Sequence, residues 1–205
     1  MARVIFLLGL LPALSSANGL DVEAMARIRA RLDAHSMVRA EFVQTKHMLD
    51  VERPIIARGR MLVAGRAGVI WEIERPLKTT IVLREDTTIQ IAPDGRRTVR
   101  RSQDDAAAAR VGRILTALLT GDAKALEQWF EVGVRMAGEE RWTISLSPRP
   151  GPMAAFLKSM QVSGNEFVEA VGIEETSGDA TQIRFHNHRG VGALSDEERL
   201  LLAGQ

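Results

Sequence analysis

Four histidines are the first residues to test for chemistry. His186 and His188 lie two apart in a segment of alternating hydrophobicity, so on a strand they share a face, as two metal ligands would. No third ligand of fitting spacing accompanies them, and an exposed strand end accounts for the pair more simply. His35 and His47 stand at the ends of an expected helix and an expected strand. Carboxylates pair at Glu72/Glu74, Glu139/Glu140 and Glu174/Glu175, and such pairs can work as acid and base. Their alternation with apolar residues fits a solvated strand face or a turn instead. The chain carries no Gly-x-Ser-x-Gly, His-Glu-x-x-His, Walker or Rossmann pattern. Cysteine is absent, which removes disulfides, thiolate metal sites, a Cys nucleophile and acylation of an N-terminal Cys. Nothing here recommends an enzyme, a metal or a cofactor.

One strongly charged segment remains. Arg96, Arg97, Arg100 and Arg101 place four guanidinium groups close together, able to grip phosphate, sulfate, a lipid headgroup or an acidic partner. Asp94, Asp104 and Asp105 flank them, so a solvated hairpin flank is the plainer account. Lys+Arg 27 against Asp+Glu 26 leaves no global field toward nucleic acid. Aromatic residues are 4% of the chain and Tyr is missing, which argues against a single-strand stacking platform. At 205 residues, 45% apolar and 26% charged, the chain is an ordinary globular one with ample material for a core.

The elements that must position these residues begin after an address. Arg3, the apolar run Val4 to Ala13 and the small residues Ser15-Ser16-Ala17 read as a secretory signal over residues 1–17. The run is too short to span a bilayer, which takes roughly 20 apolar residues. Residues 18–205 are then expected as a single exported domain. Leu20 to Ala34 predicts an amphipathic helix, capped by Asp21, with Met25, Ile28 and Leu32 on one stripe. From Val38 the period changes to two, giving five strands before the Pro93-Asp94-Gly95 turn and five more between Val132 and His186. Between them, Val111, Ile114, Leu115, Leu118 and Leu119 form a helical stripe, and Gly121-Asp122 starts a shorter helix that turns Leu126, Trp129 and Phe130 inward. The tail after Gly190 is Leu-rich and has no assigned place. About ten antiparallel strands cannot stay flat, so an α+β fold with a curled, incomplete barrel is expected, its concave side covered by the central helices. Phe42, Met61, Val69, Trp71, Ile73, Ile81, Leu83 and Ile89 are expected on that side. They suit either plain core or the wall of an apolar cavity, and their pattern leaves both open.

The order of motifs resembles a known family. Ala40-Glu41-Phe42-Val43-Gln44-Thr45 is similar to the phenylalanine–x–glutamine strand of LolA-type outer-membrane lipoprotein carriers. Gly59-Arg60-Met61, Gly68-Val69-Ile70-Trp71-Glu72-Ile73-Glu74-Arg75-Pro76, Thr79 to Leu83, Gly178-Asp179 and Ile183-Arg184-Phe185 follow in the family's order over about residues 21 to 190. The resemblance implies a half-open LolA/LolB-like barrel with a helical lid over a hydrophobic cavity. It also implies a periplasmic carrier taking acylated lipoprotein, lipid or glycolipid cargo from an inner-membrane transporter to an outer-membrane acceptor, and a monomer is expected. Acyl contact is then expected at Phe42, Met61, Val69, Trp71, Ile73, Ile81, Leu83, Leu115, Leu118, Leu119 and Trp129. The family's lid arginine falls by spacing on Gly65, leaving Arg66 as the candidate latch. Each methylene leaving water is worth ~0.8 kcal/mol, so a sixteen-carbon chain is worth on the order of 12 kcal/mol and needs cover to cross an aqueous space. An envelope sensor of lipids or lipoproteins could use the same barrel, and an acyl-ester hydrolase would need a base–nucleophile pair.

Overall fold

The computed structural model describes residues 17–35, 37–101, 114, 116–117 and 122–204. Eleven strands follow the first helix: β1 (Met37–His47), β2 (Ile55–Ala64), β3 (Val69–Arg75), β4 (Thr79–Leu83), β5 (Thr87–Ile91), β6 (Arg97–Arg101), β7 (Phe130–Ala137), β8 (Arg141–Pro148), β9 (Leu157–Gly164), β10 (Val168–Glu175) and β11 (Ala180–Gly190). Among the described residues the α-helices with assigned bounds are α1 (Ala17–Asp33), α2 (Ala123–Glu127) and α3 (Asp196–Ala203). These eleven strands, all that the described residues contain, lie in one sheet, in the order β6-β5-β4-β3-β2-β1-β11-β10-β9-β8-β7. Every neighbouring pair is antiparallel.

Two meanders, β1–β6 and β7–β11, thus meet where β1 pairs with β11. β6 and β7 end the sheet on opposite sides, so it stays open, and the chain between them must pass from one edge to the other. Ile114, Thr116 and Ala117 on that passage are helical, and Ile114 and Ala117 are buried in the main core. The half-open α+β barrel is therefore present, with eleven strands instead of ten. The eleventh, β6, is the arginine run, which pairs with β5 from Thr87↔Arg101 to Ile91↔Arg97. Asp122 caps α2, its carboxylate accepting from the Ala125 N–H at 3.3 Å. The leader lies outside the described residues except for Ala17, where α1 already begins, so Asp21 falls within the helix and does not cap it.

A curled sheet needs close approach at its bends. Gly59 supplies one: a Cβ there would sit 1.8 Å from the Glu72 carbonyl oxygen, at the irregular register between β2 and β3. Backbone cannot yield as a side-chain tip can, which gives the Gly59-Arg60-Met61 motif its physical reason. Gly59→Ala is expected to destabilise the fold by about 2–3 kcal/mol, read by chemical denaturation; a loss near zero contradicts this account.

The sheet also has an apolar patch on its convex side. The end of β2 is buried on both faces, Met61 and Val63 inward, Leu62 and Ala64 outward. Leu62, Ala64, Ile70, Val82 and Ile89 form a second core, covered by Leu202 of α3 with Leu194 and Leu201 beside it. Ile89 is thus corrected to the outer face: it pairs with Val82, and alternation sends both away from Leu83. The unplaced Leu-rich tail is this helix. Ser195 and Glu198 close a capping box at its start, with three acidic residues in the first turn.

Glu198 also fastens the helix to the sheet. Arg39 on β1 donates from Nε and Nη2 to its two carboxylate oxygens at 2.8 and 2.6 Å. That fork holds the Glu198 carboxyl at about 2, from an ordinary 4.5. A depressed folded pKa adds stability above the unfolded value and loses it as pH falls toward the folded one. Glu198→Gln is expected to cost about 1 kcal/mol at neutral pH, since Arg39 is partly exposed. The gap from wild type should narrow between pH 4.5 and 2; a gap independent of pH contradicts the assignment.

Candidate functional site

The register brings the expected residues of the first meander to one face. Phe42 stands opposite Gly59 on β2 and Phe185 on β11. Met61 pairs with Trp71, Trp71 with Ile81, and Val69 with Leu83. Ile73 lies two residues beyond Trp71, so it points the same way. The second meander continues this surface through Ile183, Val171, Val162 and Ile144, each opposite the last. One apolar face runs from β4 across the middle of the sheet to β7.

Helices cover that face. Met25, Ile28 and Leu32 of α1, Ile114 and Ala117 of the central passage, and Leu126 of α2 share one core with it, and Trp129 packs alongside. Leu115, Leu118 and Leu119 lie outside the described residues. Phe42 is 1% exposed, and Met61, Val69 and Leu83 are buried as well. Trp71, Ile73, Ile81 and Trp129 are only half-buried. At the seam between the meanders, Trp71 stacks on Phe42 with ring centroids 4.1 Å apart and meets Phe185 edge-on at 5.8 Å. Such a trio is rigid, apolar and broad, and it presents a flank to whatever lies over the sheet.

α1 is held at its C-terminal end by polar contacts. Arg31 donates to the carbonyl oxygens of Glu139 and Glu140 at 2.6 and 2.7 Å, in the turn between β7 and β8. His35 Nε2 lies 2.7 Å from Glu166 Oε1, and its ring stands 4.7 Å from that of Phe167. Beneath them is a gap of about 30 Å³ bordered by Leu32, Val38, Met61, Val63 and His188. That holds a water-sized body. On the same concave side Trp71, Ile73, Ile81 and Trp129 stay half-buried, so the described cover leaves part of the apolar face open. At the opposite end, Lys46 Nζ meets Glu175 Oε1 at 2.9 Å and Asp179 Oδ2 at 3.6 Å. The Glu175 hydrogen bond raises the lysine pKa, and the apolar face gives way there to charge.

The chemically suggestive residues are dispersed. Asn187 has φ 55°, and the β1–β11 register shifts beside it. This irregularity breaks the alternation that would put His186 and His188 on one face. His186 goes outward, 3.7 Å from Glu41, while His188 goes inward, donates to the Val168 carbonyl at 2.9 Å and has its pKa pushed down by burial. Among the described residues no three His, Asp or Glu converge as a metal site. Glu72 and Glu74 both reach Arg60, at 3.3 and 2.8 Å. Arg97 and Arg101 alternate away from Arg100 along β6, and Arg96 stands 3.6 Å from Asp94, so the four guanidinium groups do not converge on one anion. Arg66 is exposed in a 3-10 turn and borders a groove with Arg199 and Leu202 of the C-terminal segment, on the convex side.

The family model for outer membrane lipoprotein carrier protein LolA matches residues 34–198. The chain belongs to the LolA family. An outer-membrane lipoprotein carrier protein from Chromohalobacter salexigens is 29% identical over 161 residues, covering 78% of this chain and 73% of that one. A solved domain from Vibrio parahaemolyticus, described as an outer membrane lipoprotein-sorting protein, shares the fold with a TM-score of 0.50 at 9% identity, over 90% of this chain and 98% of its own. A LolA superfamily protein from Nitrosomonas europaea superposes with a TM-score of 0.43 at 11% identity, over 84% and 96%. The LolA match includes β1 to β11 and reaches the first residues of α3, so the apolar inner face lies wholly within it.

Sequence reasoning missed α1 as a cover and the inner residues of β8 to β11. The signals were present: Met25, Ile28 and Leu32 on one stripe, and Trp142-x-Ile144-x-Leu146 in strict alternation. Trp142 itself is fully buried, its Nε1–H bonded to the Asn165 carbonyl at 2.6 Å, whereas Trp71 is open enough to report on the face. A single-chain acyl ligand should change tryptophan emission in the wild type, and Trp71→Phe should reduce that change to the part that the half-buried Trp129 contributes. An emission change identical in both contradicts entry over this face.

Proposed function

We propose that this chain is a carrier that takes acyl chains of lipoproteins or acylated lipids between its inner face and its helical cover, and moves them through the periplasm toward the outer membrane. The observation that carries this reading is an apolar face shared by both meanders of an open sheet. Its cover is attached by side-chain packing and a few polar contacts, and not by strand pairing. Such a cover can lift as a unit while the sheet's hydrogen bonds stay intact. Membership of the LolA family and the name of the Chromohalobacter relative support the same reading.

The physics then sets the working cycle. Without cargo, α1 and the central helices collapse onto Phe42, Trp71 and their neighbours. With cargo, the alkyl chain replaces those contacts, and the free energy of parting the cover lowers net affinity so that release remains feasible. Arg31 and His35 restrain α1 at one end, which makes them hinge contacts in this scheme. Arg66, on the convex side, would latch the cover only after the turn rearranges. Residues 1–17 would direct export, and among the described residues no helix is long and apolar enough to cross a membrane. An inner-membrane transporter would supply the cargo to this monomer and an outer-membrane acceptor would take it. No cofactor or catalytic step is required, because cargo leaves chemically unchanged.

Native mass spectrometry of the protein purified from the cell envelope tests this. The expected result is a bound acylated species in the wild type, absent from Ile81→Glu, whose half-buried carboxylate would sit in the acyl path while circular dichroism shows the sheet intact. Apo protein alone in the wild type, with no uptake of an added acylated peptide, overturns the proposal.

A further inference from the structure

Most of the large apolar side chains that stand exposed among the described residues gather at one end of the sheet. This rim is where β1 ends and β2 starts, and antiparallel succession puts the turns 76–78, 149–156 and 176–179 at the same end. Leu49 is 73% exposed, Leu77 64% and Phe156 51%, and Ile55 and Ile56 are exposed on the neighbouring strand. Ile55 and Ile56 project past Arg58↔Arg75, the last pair joining β2 to β3.

The rim is built, not frayed. The Leu49 N–H donates to Asp179 Oδ1 at 3.1 Å, and its side chain lies over Gly178. Thr176 binds the 149–156 turn twice, its N–H to the Phe156 carbonyl at 3.0 Å and its hydroxyl to the Ala155 carbonyl at 2.9 Å. Leu49 and Phe156 are therefore fixed on the two sides of one turn. Basic side chains accompany them: Arg53, Arg58, Arg75 and Lys78 are all exposed, with Arg75 and Lys78 flanking Leu77. Asp50 and Glu52 in the β1–β2 turn offset part of this charge. Exposed apolar tips among cations suit a surface that is greasy beneath and negative above.

We infer that this rim docks reversibly on an anionic lipid bilayer. Leu49, Leu77 and Phe156 sit in three separate turns, with Ile55 and Ile56 on the adjoining strand end, so each can dip into the headgroup layer of a fluid surface, whereas a rigid protein partner would need a matched pit for each. Arg53 and Lys78 in the same turns, and Arg58 and Arg75 at the adjoining strand ends, are placed to meet lipid phosphates. The surface is defined by exposed side chains alone and stands apart from the carrier reading. If both hold, docking places the charged mouth near Lys46 at the membrane.

Co-sedimentation of the full chain with phosphatidylcholine vesicles, with and without phosphatidylglycerol, tests the inference. Binding is expected only to the anionic vesicles and should weaken as salt rises. The double variant Leu49→Asp, Leu77→Asp should bind at least about tenfold more weakly, with an unchanged melting temperature because both positions are exposed. The pair Arg75→Glu, Lys78→Glu should also lose binding. Absence of the wild type from the anionic pellet, or a pellet unchanged in the Leu49/Leu77 variant, overturns the inference. So does concentration-dependent self-association that these substitutions abolish without any vesicle binding. Uptake of an acyl probe is measured on the same variants: its retention separates docking from carriage, and its failure in a vesicle-binding wild type counts against the carrier alone.

Discussion

Side-chain alternation in a β-strand governs this molecule. A period of two sends every second residue to one side, and through β1–β4 and β7–β11 that side is apolar. A sheet of eleven strands with one such face must twist and curl, and the curl must be covered to keep water from it. Closing the sheet upon itself would remove its edges and bury the face permanently. Here β6 and β7 remain apart, and the covering is left to helices.

That division of labour separates two kinds of attachment. Backbone hydrogen bonds tie the strands together, and the aromatic contact among Phe42, Trp71 and Phe185 stiffens the seam between the two meanders. The convex patch is sealed by α3, whose capping box and Arg39–Glu198 fork make it part of the frame. α1 is held instead by Met25, Ile28 and Leu32, with Arg31 and His35 at one end. The concave side is thus closed by contacts that an alkyl chain can replace in kind, and the convex side by a capped helix and an ion pair that it cannot.

Much of this was legible from residue order. The change of period at Val38, the interruption near residues 104–130 and the Gly-containing turns gave the two meanders and their helical insertion. Inner residues from Phe42 to Leu83 followed from alternation alone. Ile89 did not, because the outer face of β2–β5 is apolar too, and two greasy faces erase the signal that alternation carries. The same ambiguity hid α3, although Ser195 and Glu198 at capping-box spacing before Leu200, Leu201 and Leu202 marked it. The shared face of His186 and His188 failed for a different reason: a single left-handed residue, Asn187, reverses facing, and although Asn adopts that conformation more readily than other non-glycine residues, one Asn inside an alternating run does not fix a bulge. Whether an apolar face is core or container depends on how its cover is fastened, which no periodicity encodes.

On the proposed carrier function, an alkyl chain replaces the helical cover over the inner face. Photocrosslinking with a diazirine-bearing fatty acyl ligand, followed by peptide mapping, reads this directly. Adducts are expected on Trp71, Ile73, Ile81 and the facing helices. Adducts confined to the convex side around Leu202, or none on a folded protein that binds the ligand, would contradict it.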